Sequence, residues 1–306
     1  MTDAPIIIVT GASGFIGRHV AKAFAADGAR VIGIGHGSWA ADAWGRWGLA
    51  RWQAADVSEE SLRRLGETPS VIVHCAGGSS VPVSIERTAE DERRTVGTTK
   101  GVLDFVTRDA PGAKVVLLSS AAVYGEVRHL PIGEGAEPAP VSPYGRHKLA
   151  MERLCKSHCE QFEIPAAILR LFSVYGPGLR KQLFWDACRK LEAKSCIFQG
   201  TGDERRDWLH VSDAVGLIRL AAAKASSGCI IVNGGSGQSA TVRSVVESIA
   251  RLLESPMPQF RGERREGDPV GYEADIAQAR ALGWTPRQPL DEGIADYVAW
   301  YRGAKA

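Results

Sequence analysis

A doubly wound parallel α/β sheet is the fold this sequence predicts, on three observations. Short apolar runs alternate with helical stretches through the first two-thirds of the 306 residues. The runs are continuous rather than alternating in polarity, as strands covered on both faces by helices are. A glycine-rich turn ends the first run and opens the first helix. The length allows about two domains. A chain with 44% hydrophobic and 24% charged residues is an ordinary globule, not a disordered, collagen-like or coiled-coil protein. Glycine is the outlier, with 34 residues where a usage of about 7% would give about 21.

Strands are expected at 5–10, 30–35, 71–75, 114–119 and 166–171, with helices near 15–27, 59–66, 88–109 and 143–162. Beyond about residue 172 the pattern changes. Turn signals crowd in at Gly176-Pro177-Gly178, Gly200-Thr201-Gly202 and Gly234-Gly235-Ser236-Gly237, with helices expected near 180–193, 212–225, 241–254, 275–282 and 290–302. No repeat or linker separates this part, so a smaller α/β lobe interleaved with the first is expected.

Thirty-seven basic against 35 acidic residues leave no surplus for a nucleic-acid or anionic-membrane footprint. No apolar run approaches the roughly 18 residues needed to span a bilayer. Met1-Thr2-Asp3-Ala4-Pro5 has neither the basic flank nor the cleavage site of a signal peptide, so a cytoplasmic location is expected. The six cysteines form no CxxC. Cys155 and Cys159 lie i,i+4 with His158 between them, but no second ligand pair stands at zinc-type spacing. They read as buried small hydrophobes in a reduced chain, and no metal site is expected.

The first strand runs into Thr10-Gly11-Ala12-Ser13-Gly14-Phe15-Ile16-Gly17. Glycines at this spacing allow a tight turn, a bare backbone against a pyrophosphate and close helix–strand packing at a partly positive helix N-terminus. Gly11, Gly14 and Gly17, with Ser13, Phe15 and Ile16, are therefore assigned to dinucleotide binding on a Rossmann-type sheet. The second strand ends Gly33-Ile34-Gly35-His36-Gly37-Ser38, where a ribose-binding carboxylate would be expected, and has none. Small residues there leave room for a 2′-phosphate contacted by His36 or Ser38, yet no arginine sits in the turn. NAD and NADP both stay open. Asp56, after a third strand, could meet adenine or cap the helix before Ser58-Glu59-Glu60. Val57, Ala76 and Gly77 are further cofactor candidates and Ser79 a substrate candidate.

Ser142-Pro143-Tyr144-Gly145-Arg146-His147-Lys148 opens a helix, with serine at N-cap and proline at N1. Lys148 then shares a face with Tyr144. A phenol with a pKa of about 10 is roughly one part in a thousand ionised at pH 7, a deficit of about 4 kcal/mol. A neighbouring ammonium favours the phenolate and recovers part of this, making the tyrosine a usable acid/base at an alcohol oxygen. Alone, such a spacing equally describes a helix surface pair. Its company is Ser119-Ser120-Ala121-Ala122-Val123-Tyr124-Gly125 at the end of strand 114–119. His74 reads as a core histidine at a strand end and His147 as a solvent-facing helix residue. Trp39, Trp44, Trp47 and Trp52 read as packing around the second strand, with the cofactor's adenine edge as the alternative.

With these motifs the sequence resembles, over almost its whole length, the extended short-chain dehydrogenase/reductase family, in particular its nucleotide-sugar epimerase and dehydratase group (UDP-glucose 4-epimerase-like). The resemblance implies that Ser120, Tyr144 and Lys148 are catalytic, with Tyr144 and Lys148 also meeting the cofactor. Arg206-Asp207-Trp208-Leu209-His210-Val211-Ser212-Asp213 looks like the family's R-D-(F/Y/W)-x-x-V-x-D segment, whose arginine binds the substrate diphosphate. Arg264-Arg265-Glu266-Gly267-Asp268 looks like its late R-x-G-D turn, placing Arg265 at the diphosphate and Asp268 near the ribose. Ser173 stands where many relatives have an asparagine on the diphosphate, and Arg94 replaces the asparagine of an N-V-x-G-T segment, for which there is no physical account.

The domains implied are a dinucleotide-binding domain at 1–172, to which 206–232 returns, and a substrate-binding lobe formed mainly by 173–205 and 233–306. Dehydratases carry an Asp-Glu pair after the serine or threonine. Here Ala121 and Ala122 have no proton to exchange, which disfavours dehydration. What remains is an NAD(P)-dependent C4 epimerase acting on a nucleotide-diphosphate sugar through a transient 4-keto sugar, with NAD slightly favoured. The alternatives are an NADPH-dependent 4-ketoreductase and, from another class, a non-catalytic cofactor-sensing regulator. Homodimerisation through helices 88–109 and 143–162 is the family expectation.

Overall fold

The computed structural model describes residues 4–127, 129–262 and 271–304. The chain divides into two compact units. The first takes the residues up to 125 together with 137–170 and 215–232, and the second takes 126–136, 171–214 and the residues from 233 onward. The return to the first unit thus begins at 215 rather than 206, because residues 205–210 are committed to a sheet of the second unit.

Six strands of the first unit's sheet are β1 (Ile6–Thr10), β2 (Arg30–Gly35), β3 (Leu49–Ala54), β4 (Val71–His74), β5 (Lys114–Ser120) and β6 (Ala166–Leu171). In the second unit, β7 (Ser173–Tyr175), β8 (Ile197–Phe198) and β9 (Arg205–His210) follow. β10 (Ile230–Gly234) closes the large sheet, and β11 (Ser239–Thr241) and β12 (Gln259–Phe260) complete the set. The seven-stranded order is β10-β6-β5-β4-β1-β2-β3, and β1 pairs in parallel with both β2 and β4. Chain direction across the sheet therefore reverses between β1 and β4, the switch point where such sheets open a crevice at their carboxyl ends.

Ile8, Ile32, Ile72, Val115 and Ile168 are fully buried, as the continuous apolar runs require. β3 escapes that signature because it is an edge strand, with Arg51 and Gln53 alternating with Leu49 and Trp52.

The helices of the first unit are α1 (Phe15–Ala26), α2 (Ala41–Gly45), α3 (Glu59–Arg63), α4 (Val81–Glu86), α5 (Thr88–Glu92), α6 (Thr98–Asp109) and α7 (Pro143–Phe162). The single helix expected at 88–109 is instead α5 and α6 joined by a π-helical turn over Arg93–Gly97, a form that recurs at functional sites. α7 begins as predicted, with Ser142 Oγ accepting the Gly145 N–H at 3.1 Å and Pro143 in the first turn.

In the second unit β9 lies between β7, parallel to it, and β11, antiparallel. These strands were hidden in the sequence because they are short and carry charges, as in Arg205-Arg206-Asp207. The helices are α8 (Gln182–Glu192), α9 (Val211–Lys224, which crosses into the first unit), α10 (Val242–Leu252), α11 (Ala277–Ala281) and α12 (Leu290–Gly303). Tyr175 stacks on Phe184 at 4.4 Å between centroids, and Tyr297 meets the same ring edge-on, forming an aromatic core. Among the described residues no helix is long and apolar enough to cross a membrane.

Candidate active site

The turn after β1 is shaped by steric necessity. Gly11 has φ +65°, and a Cβ there would stand 2.8 Å from the Ala76 amide nitrogen. A Cβ on Gly17 would stand 2.3 Å from the Gly11 carbonyl oxygen. Gly14 N-caps α1 without any side-chain hydrogen bond, so no side chain competes for the helix's first amides. Arg18 braces the turn from outside, donating to the Ser13 carbonyl at 2.6 Å and the Gly14 carbonyl at 3.2 Å. Phe15 and Ile16, both partly buried, begin α1. A bare backbone cradle at a helix N-terminus fits a dinucleotide pyrophosphate.

At the end of β2 the glycines are set by packing. Cβ atoms on Gly33 and Gly35 would each come within 3.0 Å of the Trp52 ring. These two glycines make room for the Trp52 indole, whereas nothing lies within 4 Å of a Cβ at Gly37. Trp39 meets Trp52 edge-on at 5.4 Å, and Trp47 packs on His19 at 5.0 Å. His36 and Ser38 are exposed just beyond β2. Asp56 is not a helix cap. Ser58 caps α3, accepting from the Ser61 amide, while Asp56 pairs at the surface with Arg93 at 3.2 Å. Val57 is buried beside it.

Across the switch point, Ala76 donates its N–H to Thr10 Oγ1 at 3.2 Å, and Gly77 has φ +145°, so that a Cβ would lie 3.5 Å from Lys148 Nζ. Ser79 is exposed on the same loop. The Ser120 hydroxyl hydrogen-bonds the Tyr144 phenol and also accepts from the Ala122 amide at 3.2 Å. Lys148 Nζ, buried, donates to the Leu118 carbonyl at 2.8 Å and lies 5.8 Å from the Tyr144 ring centroid. Ser120, Tyr144, Lys148, Gly77 and the glycine turn therefore gather at the carboxyl ends of β1, β4 and β5.

The electrostatics differ from the expectation that Lys148 draws the phenol down. Burial pushes Tyr144 above its ordinary value; the Ser120 hydrogen bond opposes this and the Asp91 charge adds to it. Burial likewise lowers Lys148 to about 8, against the pull of Asp91, Cys75 and Glu152. At pH 7 the phenol keeps its proton.

Several polar residues at this end of the sheet have partners that gave no signal in the sequence, although His74 is the core histidine expected. His147, expected in solvent, is buried, with Nδ1 2.6 Å from Asp91 Oδ2. Thr10 Oγ1 lies 2.7 Å from His74 Nδ1, and Thr99 Oγ1 lies 3.2 Å from His74 Nε2. Beneath β5, buried Arg170 pairs with Glu152 at 2.8 Å, and Ser119 donates to the same carboxylate at 2.5 Å. Each partner lies far off in the chain, so no local spacing marks it.

In the second unit Ser173 pairs in register with Trp208, and Arg206 precedes it by two residues on β9. Arg206 is partly exposed and donates to the Arg205 carbonyl at 2.9 Å. Asp207 of the same motif is fully buried and accepts from the amides of Ser236, Gly237 and Ala274 at 2.5, 2.9 and 3.1 Å, which pins the Gly234–Gly237 turn. Arg265 and Asp268 lie outside the described residues.

A family model described as the NAD dependent epimerase/dehydratase family matches residues 7–234. The UDP-glucose 4-epimerase of Azospirillum brasilense is 30% identical over 341 aligned positions, which cover 99% of this chain and 94% of the relative. Among solved structures, the UDP-glucose 4-epimerase of Thermotoga maritima with UDP-glucose is similar at a TM-score of 0.89 and 26% identity, covering 98% of this chain and 100% of that one. The UDP-glucose 4-epimerase of Brucella ovis in complex with NAD gives 0.85 and 29%, covering 97% and 98%.

Proposed function

The chain belongs to the NAD-dependent epimerase/dehydratase family, and from that premise we propose that it is a nucleotide-sugar C4 epimerase with Tyr144 as its acid/base. The observation that carries this is the Ser120–Tyr144 hydroxyl pair, followed by two alanines where a dehydrating enzyme needs carboxyl groups. Gly11, Ser13, Gly14 and Gly17 would hold the dinucleotide pyrophosphate, with His36, Ser38, Asp56, Val57, Ala76 and Gly77 along the remainder. The bound nicotinamide supplies reversible hydride exchange at the sugar carbon.

This chain's residues handle the proton. Tyr144, neutral at rest, first releases its own proton to solvent. Its phenolate Oη then takes the proton of the C4 hydroxyl and returns it after the 4-keto sugar has turned its other face. Ser120 orients the same oxygen. Lys148, cationic at pH 7 with its value near 8, stabilises the phenolate in the charged intermediate state. Arg206 and Ser173, and Arg265 and Asp268 by the motif they match, would bind the nucleotide diphosphate. Ser79 is a further sugar contact. A homodimer through the 88–109 segment and α7 belongs to the same proposal.

The lack of any carboxylate at Gly35-His36-Gly37-Ser38 favours a second reading, an NADPH-dependent 4-ketoreductase. Redox balance separates the two. An epimerase purifies with its dinucleotide, identifiable by mass spectrometry, and interconverts UDP-sugars with none added. Stoichiometric NADPH consumption overturns the epimerase reading.

A further inference from the structure

Beneath the large sheet, three thiols that the sequence scatters come together. Cys155 and Cys159 stand one turn apart on α7, and Cys229 reaches them from the turn that opens β10. Cys155 Sγ and Cys229 Sγ are 4.0 Å apart, and all three sulfurs lie within 4.8 Å of one another. Three sulfurs placed about 2.3 Å from one central ion, in its plane, are about 4.0 Å apart. All three side chains are buried and none is in a disulfide.

The backbone supplies a second observation. Cys229 has φ +49°, in the left-handed region, within a turn closed by its N–H to the Ser226 carbonyl at 3.0 Å. Glycine adopts that conformation without strain and cysteine does not. The strain is kept while the thiol is directed inward to the other two.

We propose that Cys155, Cys159 and Cys229 form a three-thiolate site for a soft, three-coordinate metal ion of the copper(I) type. Thiolates select soft ions, whereas structural zinc takes four ligands almost without exception. A fourth is missing here. Among the described residues no further histidine, cysteine or carboxylate joins the cluster. His158, the nearest in sequence, turns away, with Nδ1 3.0 Å from the Leu154 carbonyl and Nε2 3.7 Å from Asp104.

Binding breaks three S–H bonds, forms three S–Cu bonds and releases three protons, with no change of oxidation state. The bound ion would tie the helix that carries Tyr144 and Lys148 to the start of β10, away from the glycine turn.

The test is an anaerobic titration of the reduced full-length protein with copper(I) held in a competing chelator. The expected result is one equivalent per chain, proton release, and an X-ray absorption shell of three sulfurs. Cys229→Ser and Cys159→Ser should each abolish uptake, while Cys188→Ser keeps it. Failure to compete with the chelator, uptake that survives both substitutions, or a shell containing nitrogen or oxygen overturns the site. If the variants do not fold, the wild-type absorption shell decides alone.

Discussion

Asp91 Oδ2 lies 2.6 Å from His147 Nδ1 with both side chains buried, joining α5 to the first turns of α7. The same carboxylate covers Gly78, where a Cβ would meet Asp91 Oδ1 at 1.9 Å. The pair thus sets the loop after β4 against the helix of Tyr144. Truncating a buried partner of a charged group costs about 1.5–3 kcal/mol, against about 0.5 kcal/mol or less for an ordinary surface change. His147→Ala should therefore lose about 1.5–3 kcal/mol in urea unfolding; a loss under 0.5 kcal/mol would return His147 to the surface.

A second histidine gives stability a pH slope. Burial, with the Lys148 charge adding to it, lowers His74 from 6.5 to about 3. Between those values the unfolded chain binds a proton that the folded chain refuses, so stability falls as pH falls below 6.5. The slope from this group is about 1.4 kcal/mol per pH unit. Urea unfolding at pH 7, 6 and 5 should show it, and His74→Gln should flatten it. Equal slopes for the two proteins would contradict the buried neutral histidine.

What could be read from the sequence was chemistry confined to one turn of chain. The Gly11–Gly17 spacing, the Ser142-Pro143 helix start and the Tyr144–Lys148 face are local, and each is where the sequence put it. Long-range partners were invisible. Asp91 is 56 residues from His147, and Cys229 is 74 from Cys155. β3 was obscured because an edge strand mixes Arg51 and Gln53 into its apolar pattern. What packs on Gly33 and Gly35 was hidden for a related reason: Trp52 comes from the next strand.

The glycine turn predicts a graded pair of variants. Alanine at Gly11 would take a left-handed backbone and strike the Ala76 amide, for about 2–4 kcal/mol together. Gly28 also has positive φ, +84°, but nothing within 4 Å of a Cβ, so Gly28→Ala should cost only about 1–2 kcal/mol. Calorimetric titration with NAD should find binding lost in Gly11→Ala and kept in Gly28→Ala. Retained binding in Gly11→Ala would separate the turn from the cofactor.

Tyr144→Phe keeps the ring and removes the hydroxyl that Ser120 bonds. If that hydroxyl is the acid/base, turnover on UDP-sugars should fall by about 10²–10⁴ with NAD affinity little changed. Activity equal to wild type would reassign the proton transfer.

Lys148 supplies the most discriminating pH experiment. Its folded value, about 8, lies below the ordinary 10.5 because the ammonium is buried. Between pH 8 and 10.5 the folded chain has shed this proton and the unfolded chain has not, so the wild type gains stability as pH rises. Below pH 8 both states are charged and the burial penalty is constant. Lys148→Met lacks this proton, so the stability difference between wild type and variant should move toward the wild type by up to about 3 kcal/mol across that window. Paired urea unfolding at pH 7.5 and 10.5 measures it, and the comparison cancels other titrating groups. The variant should also lose turnover if, as proposed, the charge that burial makes costly steadies a phenolate at Tyr144. A pH-independent difference would mean that Lys148 is solvated, and would remove the electrostatic basis for its proposed role.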